Sequence, residues 1–414
     1  MRIIVSILCC TFTLSWMVTD QSSAFPQESA KKSKQEIEKL IKSLGDDDFV
    51  VRENASSKLL EIGEPATPFL KKAGKAPDSE VRFQVKRLIR LIEISGYKKR
   101  LEKFLSSTDP NDDFGLAGWK KFSGILGTNR DMRKLFVELH ENLPKAMQSL
   151  DKSNSDITRE FNLVMSSEIN TRYNAGGASR SVIRALICNM ILSMAHTDNK
   201  GNSYSLDSQL ANRLQNSSFK EILKTGALGT PFKLTLNKWL NKTSKFDNMT
   251  ARKFYVAQML DVKEAGVKLA TLCMTPGVSI SSSYLGQAIL FVGKHGSKKH
   301  LPQIYKFIDN TRTGQRAYVL NQNRPMIPRI SDHAIEAFSA LAKWNPKDFG
   351  MYEMQHNPSY QMYTQLPDYG FESTKKRTAG IKLFKEKVKK TMPQLAGVKK
   401  SSRPSEKQGK SKKQ

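Results

Sequence analysis

Cysteine is scarce in this chain of 414 residues, which holds four. Two of them, Cys9 and Cys10, fall inside the first apolar run, so only Cys188 and Cys273 remain for a folded body and a disulfide-stapled framework is excluded. On helical patterns these two read as buried, inert thiols; a single bridge stays open, because an exported protein permits one. Runs of alternating β-branched residues are few, which excludes a sheet-based body. Long apolar runs are also missing. The longest, Ile3 to Val18, has 16 residues, short of the ~20 needed to span a bilayer. Acidic residues are outnumbered, 39 against 67 Lys and Arg, for a net charge of +28. A surplus of that size favours an acidic partner.

The first residues read as a targeting segment. Arg2 supplies the positive start, Ile3 to Val18 the apolar stretch, and Ser22-Ser23-Ala24 the small residues of a cleavage site. Cleavage is favoured over a retained anchor, placing the start of the mature chain near Phe25, outside the cytoplasm, in the periplasm or beyond. Much of the positive charge gathers at the other end. From Lys375 to Gln414 fifteen Lys and Arg face two Glu. The last sixteen residues carry Lys399, Lys400, Arg403, Lys407, Lys410, Lys412 and Lys413 with one Glu and no aliphatic or aromatic side chain. Such a stretch cannot bury enough apolar surface to offset its ordering entropy and is predicted to be disordered. It reads either as a passive solubilising tail or as a polyanion-binding element. Without aromatics to stack bases, sequence-specific nucleic-acid recognition is not expected there.

One phrase occurs twice, thirty residues apart. Asp48, Val51, Arg52, Ala55 and Leu59 return as Asp78, Val81, Arg82, Val85 and Ile89, a spacing that signals stacked units. Each copy reads as two helices. Ile37, Leu40, Ile41 and Leu44 share one face before Gly45, and Val51, Ala55, Leu59 and Leu60 point inward before Gly63. Pro65 opens the next helix, Ala66, Phe69, Leu70 and Ala73 form its stripe, and Val81, Val85, Leu88, Ile89 and Ile92 complete the core. Asp48 is placed to cap a helix and to pair with Arg52 one turn on. Replacing Arg52 is expected to cost little unless it is buried against a neighbouring repeat.

The stretch resembles HEAT repeats in Asp-x-x-Val-Arg-x-x-Ala (Asp48 to Ala55), in Leu59-Leu60-x-Ile62-Gly63, and in the partial echo from Asp78 to Val85. The resemblance implies an α-solenoid of the ARM/HEAT type. It further implies that the repeated Asp and Arg form structural ladders between repeats, and that the inner helices line a concave binding surface.

Downstream, Ser106 to Gly118 is rich in Ser, Asp, Pro and Gly and reads as a boundary loop. Leu135, Phe136, Leu139 and Leu143 make one helical stripe; Ile157, Phe161, Val164, Met165 and Ile169 make another behind the cap candidates Ser155 and Asp156. Asn174 to Ser179 breaks the chain. Ser181 to His196 is apolar nearly all round and is expected at the centre of the core. Further helices are expected at Asp207 to Lys224, Pro231 to Leu240, Ala251 to Met274, Ser282 to His295 and Leu301 to Asn310. Ile330 opens a helix to about Trp344, Asn345 to Gly350 is a turn, and Asp368-Tyr369-Gly370-Phe371 precedes the last helix. These phrases, with Trp119 to Phe122 and Arg133 to Phe136, resemble secreted HEAT-like proteins of planctomycete bacteria, although Arg329 is displaced from Asp332 relative to the family's Arg-Asp helix. The expected organisation is a signal peptide over 1–24, a linker over 25–33, a HEAT-like repeat pair over 34–105, a linker over 106–118, a helical-repeat body over 119–391 and a disordered basic tail over 392–414.

Catalytic patterns are weak. Asp348-Phe349-Gly350 copies a kinase tripeptide without its companion motifs and reads as a helix-ending turn. The six histidines are scattered, and Lys298 and Lys299 between His295 and His300 would repel a metal. Ser179 and Ser181 after Gly176-Gly177 lack Gly-x-Ser-x-Gly and read as a helix start. Tyr352, Tyr360, Tyr363, Tyr369 and Phe371, with Met351, Met354 and Met362, read as a packed loop in preference to a stacking platform. Asn54, Asn216, Asn241 and Asn248 begin glycosylation-type triplets, which mean little in a bacterial source. No enzyme, cofactor or metal is expected. The expectation is an exported scaffold binding a protein or an acidic polymer of the cell envelope, with an envelope component held by charge as the alternative and a hydrolase last.

Overall fold

Helical periodicity dominates the apolar pattern, and the computed structural model of the chain is accordingly all-α. It describes residues 26–170, 179–196, 202–215, 218–223, 228–314, 317–319, 324–355 and 367–397. The expected signal segment and the tail cations Lys399, Lys400, Arg403, Lys407, Lys410, Lys412 and Lys413 lie outside these residues, as do Asn174 to Ala178, Asn216, His356, Tyr360, Met362 and Tyr363. The chain divides between Ser106 and Ser107 into two compact units.

The first unit contains α1 (Pro26–Ser43), α2 (Phe49–Ile62), a 3-10 turn (Glu64–Ala66), α3 (Thr67–Ala73) and α4 (Ser79–Ser106). Helix α1 packs on α2, α3 on α4, α2 on α4 and α1 on α3. Their inward faces close a core of Ile37, Leu44, Ala55, Leu59, Ala66, Leu70, Val81, Val85, Leu88 and Ile92. Burying each larger aliphatic contributes about 1.5–3 kcal/mol.

Four expectations need correction here. Helix α1 begins at Pro26, where a residue with no N–H to lose suits the first turn, so residues 26–33 are helix and not linker. Leu60 stays 37% exposed, one residue past the stripe that carries Leu59 inward. Asp48 does cap α2, accepting from Val50 N at 2.7 Å, but it makes no ion pair with Arg52. The Arg52 guanidinium instead donates to the carbonyls of Asp46 (2.7 Å) and Asp47 (3.0 Å). The echo repeats the device: Asp78 accepts from Glu80 N (2.8 Å), and Arg82 donates to the carbonyls of Ala76 (2.8 Å) and Pro77 (2.5 Å). Each arginine therefore closes its own turn and builds no ladder to the neighbouring copy.

The second unit runs through α5 (Trp119–Leu126), α6 (Arg130–Asn142), α7 (Pro144–Ser149), α8 (Asn154–Val164) with a π-helical turn (Met165–Asn170), α9 (Arg180–Ala195), α10 (Asn202–Leu214), α11 (Ser218–Ile222) and α12 (Gly229–Asn241). It continues with α13 (Thr250–Met259), α14 (Lys263–Cys273), α15 (Ser282–His295), α16 (Leu301–Tyr305), α17 (Ile330–Ala342), α18 (Thr374–Thr391) and α19 (Pro393–Ala396). Among the described residues, strands are limited to the antiparallel pairs β1 (Ala317–Val319) with β2 (Arg324–Met326) and β3 (Tyr352–Glu353) with β4 (Tyr369–Gly370).

Helix α9 is central, as its apolar circumference predicts, packing on α5, α7, α8, α10 and α12. The expected helix over Ala251 to Met274 is two, separated at Asp261, whose φ of 55° is left-handed and cannot continue a helix. Ser153, and not Ser155, caps α8 by accepting from Asp156 N. Helix α19 buries Leu395, so the ordered body extends past residue 392. From α13 onward the long helices pack in succession, α13 on α14, α14 on α15, α15 on α17 and α17 on α18. The α15–α17 approach depends on Gly293, where a Cβ would lie 2.5 Å from the Cα of Ala337.

Candidate functional site

Between the start of α17, the segment after α16 and one flank of α18 lies a cleft of about 540 Å³. A backbone ladder builds its first wall: Gly314 N donates to Pro328 O (2.8 Å), Ile330 N to Arg312 O (3.0 Å) and Ser331 N to Asn310 O (3.1 Å). This lays Thr311 beside Arg329 and Ser331, all three lining the cleft. The opposite wall is a stripe of α18. Thr374, Thr378, Ile381, Lys382, Lys385 and Lys389 recur at helical spacing, while Gly380, Phe384 and Val388 on the adjacent face are buried. Lys385 spans the walls to Asp309 at 2.5 Å.

A buried ion pair lies at the head of the cleft. Asp332 is fully buried; its carboxylate accepts Arg329 N (3.1 Å), Ser331 Oγ (3.2 Å), and Arg377 Nε (2.8 Å) and Nη2 (3.0 Å). It caps α17 and fixes α18 to it at the same time. Arg377, 8% exposed, is thus the ion-pair partner of Asp332. Beside them His333 is wedged against Gly314, where a Cβ would lie 2.7 Å from its Cε1. Its Nδ1 lies 2.8 Å from Arg329 O, and burial holds its pKa below the ordinary histidine value. A neutral, fully packed ring adds rigidity and no charge.

One turn further along α17, Glu336 accepts Asp368 N (3.0 Å) and Tyr369 N (3.1 Å), anchoring β4. Removal from water pushes its pKa up to about 8 from 4.5. The folded state therefore binds a proton more tightly than the unfolded chain, and this contribution to stability is present below pH 4.5 and lost as pH rises through about 8. Unfolding titrations at several pH values should show a decline across that window that Glu336→Gln flattens; an identical slope in the variant would rule Glu336 out as its source.

A second polar centre is fully enclosed. Asp207 of α10 pairs with Lys253 of α13 at 2.6 Å, and its other oxygen accepts Trp239 Nε1 of α12 (2.7 Å) and Ser193 Oγ of α9. The Lys253 ammonium lies 4.7 Å from the Trp239 ring centroid. With every member tied to another helix, the chemistry on offer is cross-bracing.

The remaining sequence candidates serve as structure. Cys188 and Cys273 are buried and unbridged, their thiols pushed up to about 12 by burial. Ser179 caps α9, accepting from Val182 N. Asp348 and Gly350 flank Phe349 in a 3-10 turn, with Gly350 at φ 74°. His140 sits 3.0 Å from Ala117 O, and His295 lies against Phe291. Met351, Met354 and Phe371 are core residues. Among the described residues no three His, Cys, Asp or Glu side chains gather as a metal set, and no helix is long and apolar enough to cross a membrane.

From the sequence the polyanion-binding candidates are the cations of the last sixteen residues, and those that line the cleft are not among them. The spacing of Lys382, Lys385 and Lys389 on one face of α18 was a usable signal. Nothing in the sequence announced that Arg329 and Asp309 face them. No protein-family model, curated protein or solved structure matches this chain.

Proposed function

We propose that the protein is an exported HEAT-type α-solenoid, akin to the secreted planctomycete proteins it resembles, that holds an acidic polymer of the cell envelope without reacting on it. The cleft carries this reading. Arg329, Arg377, Lys382, Lys385 and Lys389 line it against Asp309 and Glu386, with Asp332 behind Arg377, and a concave site that keeps a cationic surplus attracts anions. The pairwise packing of α1 to α4 is in keeping with two stacked repeats. The basic tail from Lys399 adds non-specific attraction to the same partner.

A protein partner is the second reading, favoured by the first unit. Phe49, Val50, Phe83 and Ile94 are each more than half exposed, and Phe83, Arg87, Arg90 and Ile94 share one outward stripe of α4 by helical spacing. Retention of the chain from Phe25 on matrices bearing acidic polymers tests the first reading. We expect binding at low salt that is lost as salt rises; passage through every acidic matrix at low salt would refute it.

A further inference from the structure

We infer that the α17–α18 cleft is a two-arginine clamp for the oxyanion groups of an acidic polysaccharide, an inference that rests on the polymer-binding role proposed above. A guanidinium carries five N–H donors in a rigid fork. Asp332 engages Nε and Nη2 of Arg377, which leaves Nη1 without a protein acceptor among the described residues, on a side chain that lines the cleft. Because Asp332 is itself held by Arg329 N and Ser331 Oγ, Arg377 is ordered before any ligand arrives. Little conformational entropy is then lost on binding.

Arg329 lines the facing wall and forms no ion pair with any described carboxylate; the same holds for Lys382 and Lys389. Lys382 and Lys389 are seven residues apart, about 10 Å along the helix axis. Unpaired cations strung over that length match a ligand with repeating charge better than one small ion. Four hydroxyl residues (Thr311, Ser331, Thr374 and Thr378), the aliphatic Ile381, the paired Lys385 and Asp309, and Glu386 complete the lining. Hydroxyls satisfy sugar hydroxyls, and the aliphatic side chain packs against ring C–H groups. No aromatic side chain lines the cleft, so nucleobases have no stacking platform.

The test compares the chain from Phe25, its Arg329→Gln/Lys382→Gln variant and a truncation lacking Lys399 to Gln414 on polygalacturonate, dextran sulfate, polyphosphate and neutral dextran columns. Arg377 is left intact because its loss would disturb the fold. We expect the parent chain to be retained on both acidic polysaccharides to higher salt than on polyphosphate. The double variant should lose roughly 1–2 units of log–log salt slope with an unchanged circular dichroism spectrum, and the truncation should keep its polysaccharide preference. The stronger of the two polysaccharide arms identifies carboxylate or sulfate as the anion. A double variant equal to the parent, with retention lost on truncation, would overturn the clamp while leaving polymer binding by the tail. Polyphosphate retention equal to that on the polysaccharides would overturn the sugar class. Passage of the parent chain through every acidic column would remove the functional reading itself.

Discussion

Asp207→Ala is expected to lower the stability of the second unit by about 3–5 kcal/mol, the cost of leaving one partner of a buried pair uncompensated. Lys253 is 2% exposed and would be left without its carboxylate in a site that water hardly reaches. The Trp239 indole N–H and the Ser193 hydroxyl would lose the same acceptor. Four helices meet at this carboxylate, so the loss loosens α9, α10, α12 and α13 together. Urea unfolding followed by the fluorescence of Trp119, Trp239 and Trp344, all in this unit, measures it. The double variant Asp207→Leu/Lys253→Met is the informative partner, because removing both charges removes the stranding and should restore most of the loss. A single variant that costs under about 1 kcal/mol, as exposed ion pairs do, would show that solvent reaches the centre.

Arg377→Met is expected to produce a loss of similar size, about 3–5 kcal/mol, by a different route. Asp332 would remain fully buried with its carboxylate facing an apolar side chain, keeping only Arg329 N and Ser331 Oγ as donors. Helix α18 would also lose its polar tie to α17. Its packing through Phe384, in edge-on contact with Phe338 (5.1 Å) and Phe349 (5.1 Å), would persist. The unit should therefore unfold at lower urea without losing helix content beforehand. Asp332→Asn/Arg377→Met should recover part of the loss, since a neutral amide can still cap α17. Equal urea midpoints for the parent and Arg377→Met would mean the pair contributes nothing net. Surface pairs such as Lys347–Glu353, 53% and 60% exposed, set the contrast: their removal should stay within about 1 kcal/mol.

The way these two centres arise explains which features were legible beforehand. Asp48 and Asp78 cap helices within two residues of their own position, and a local interaction can be read from local spacing. Arg52 was harder. Its four-residue offset from Asp48 suits an ion pair, yet the turn presented two bare carbonyls closer at hand, and a guanidinium satisfies two acceptors better than one. Asp332 and Arg377 are 45 residues apart and Asp207 and Lys253 are 46 apart, with no shared periodicity to join them.

The all-α class, the turns at Gly45, Gly63 and Asn345 to Gly350, the central place of Ser181 to His196 and the paired helices around Ala55 and Val85 followed from the sequence alone. Each depends on a helical period of 3.6 residues or a cap, which act over one or two turns. Only the tertiary structure decided which charges are buried, that Arg377 and not Arg329 answers Asp332, and that Arg329 faces Lys382 and Lys389 across a cleft. Burial and pairing of a charge depend on which surfaces meet. The balance between desolvation and attraction is struck only after distant helices have packed.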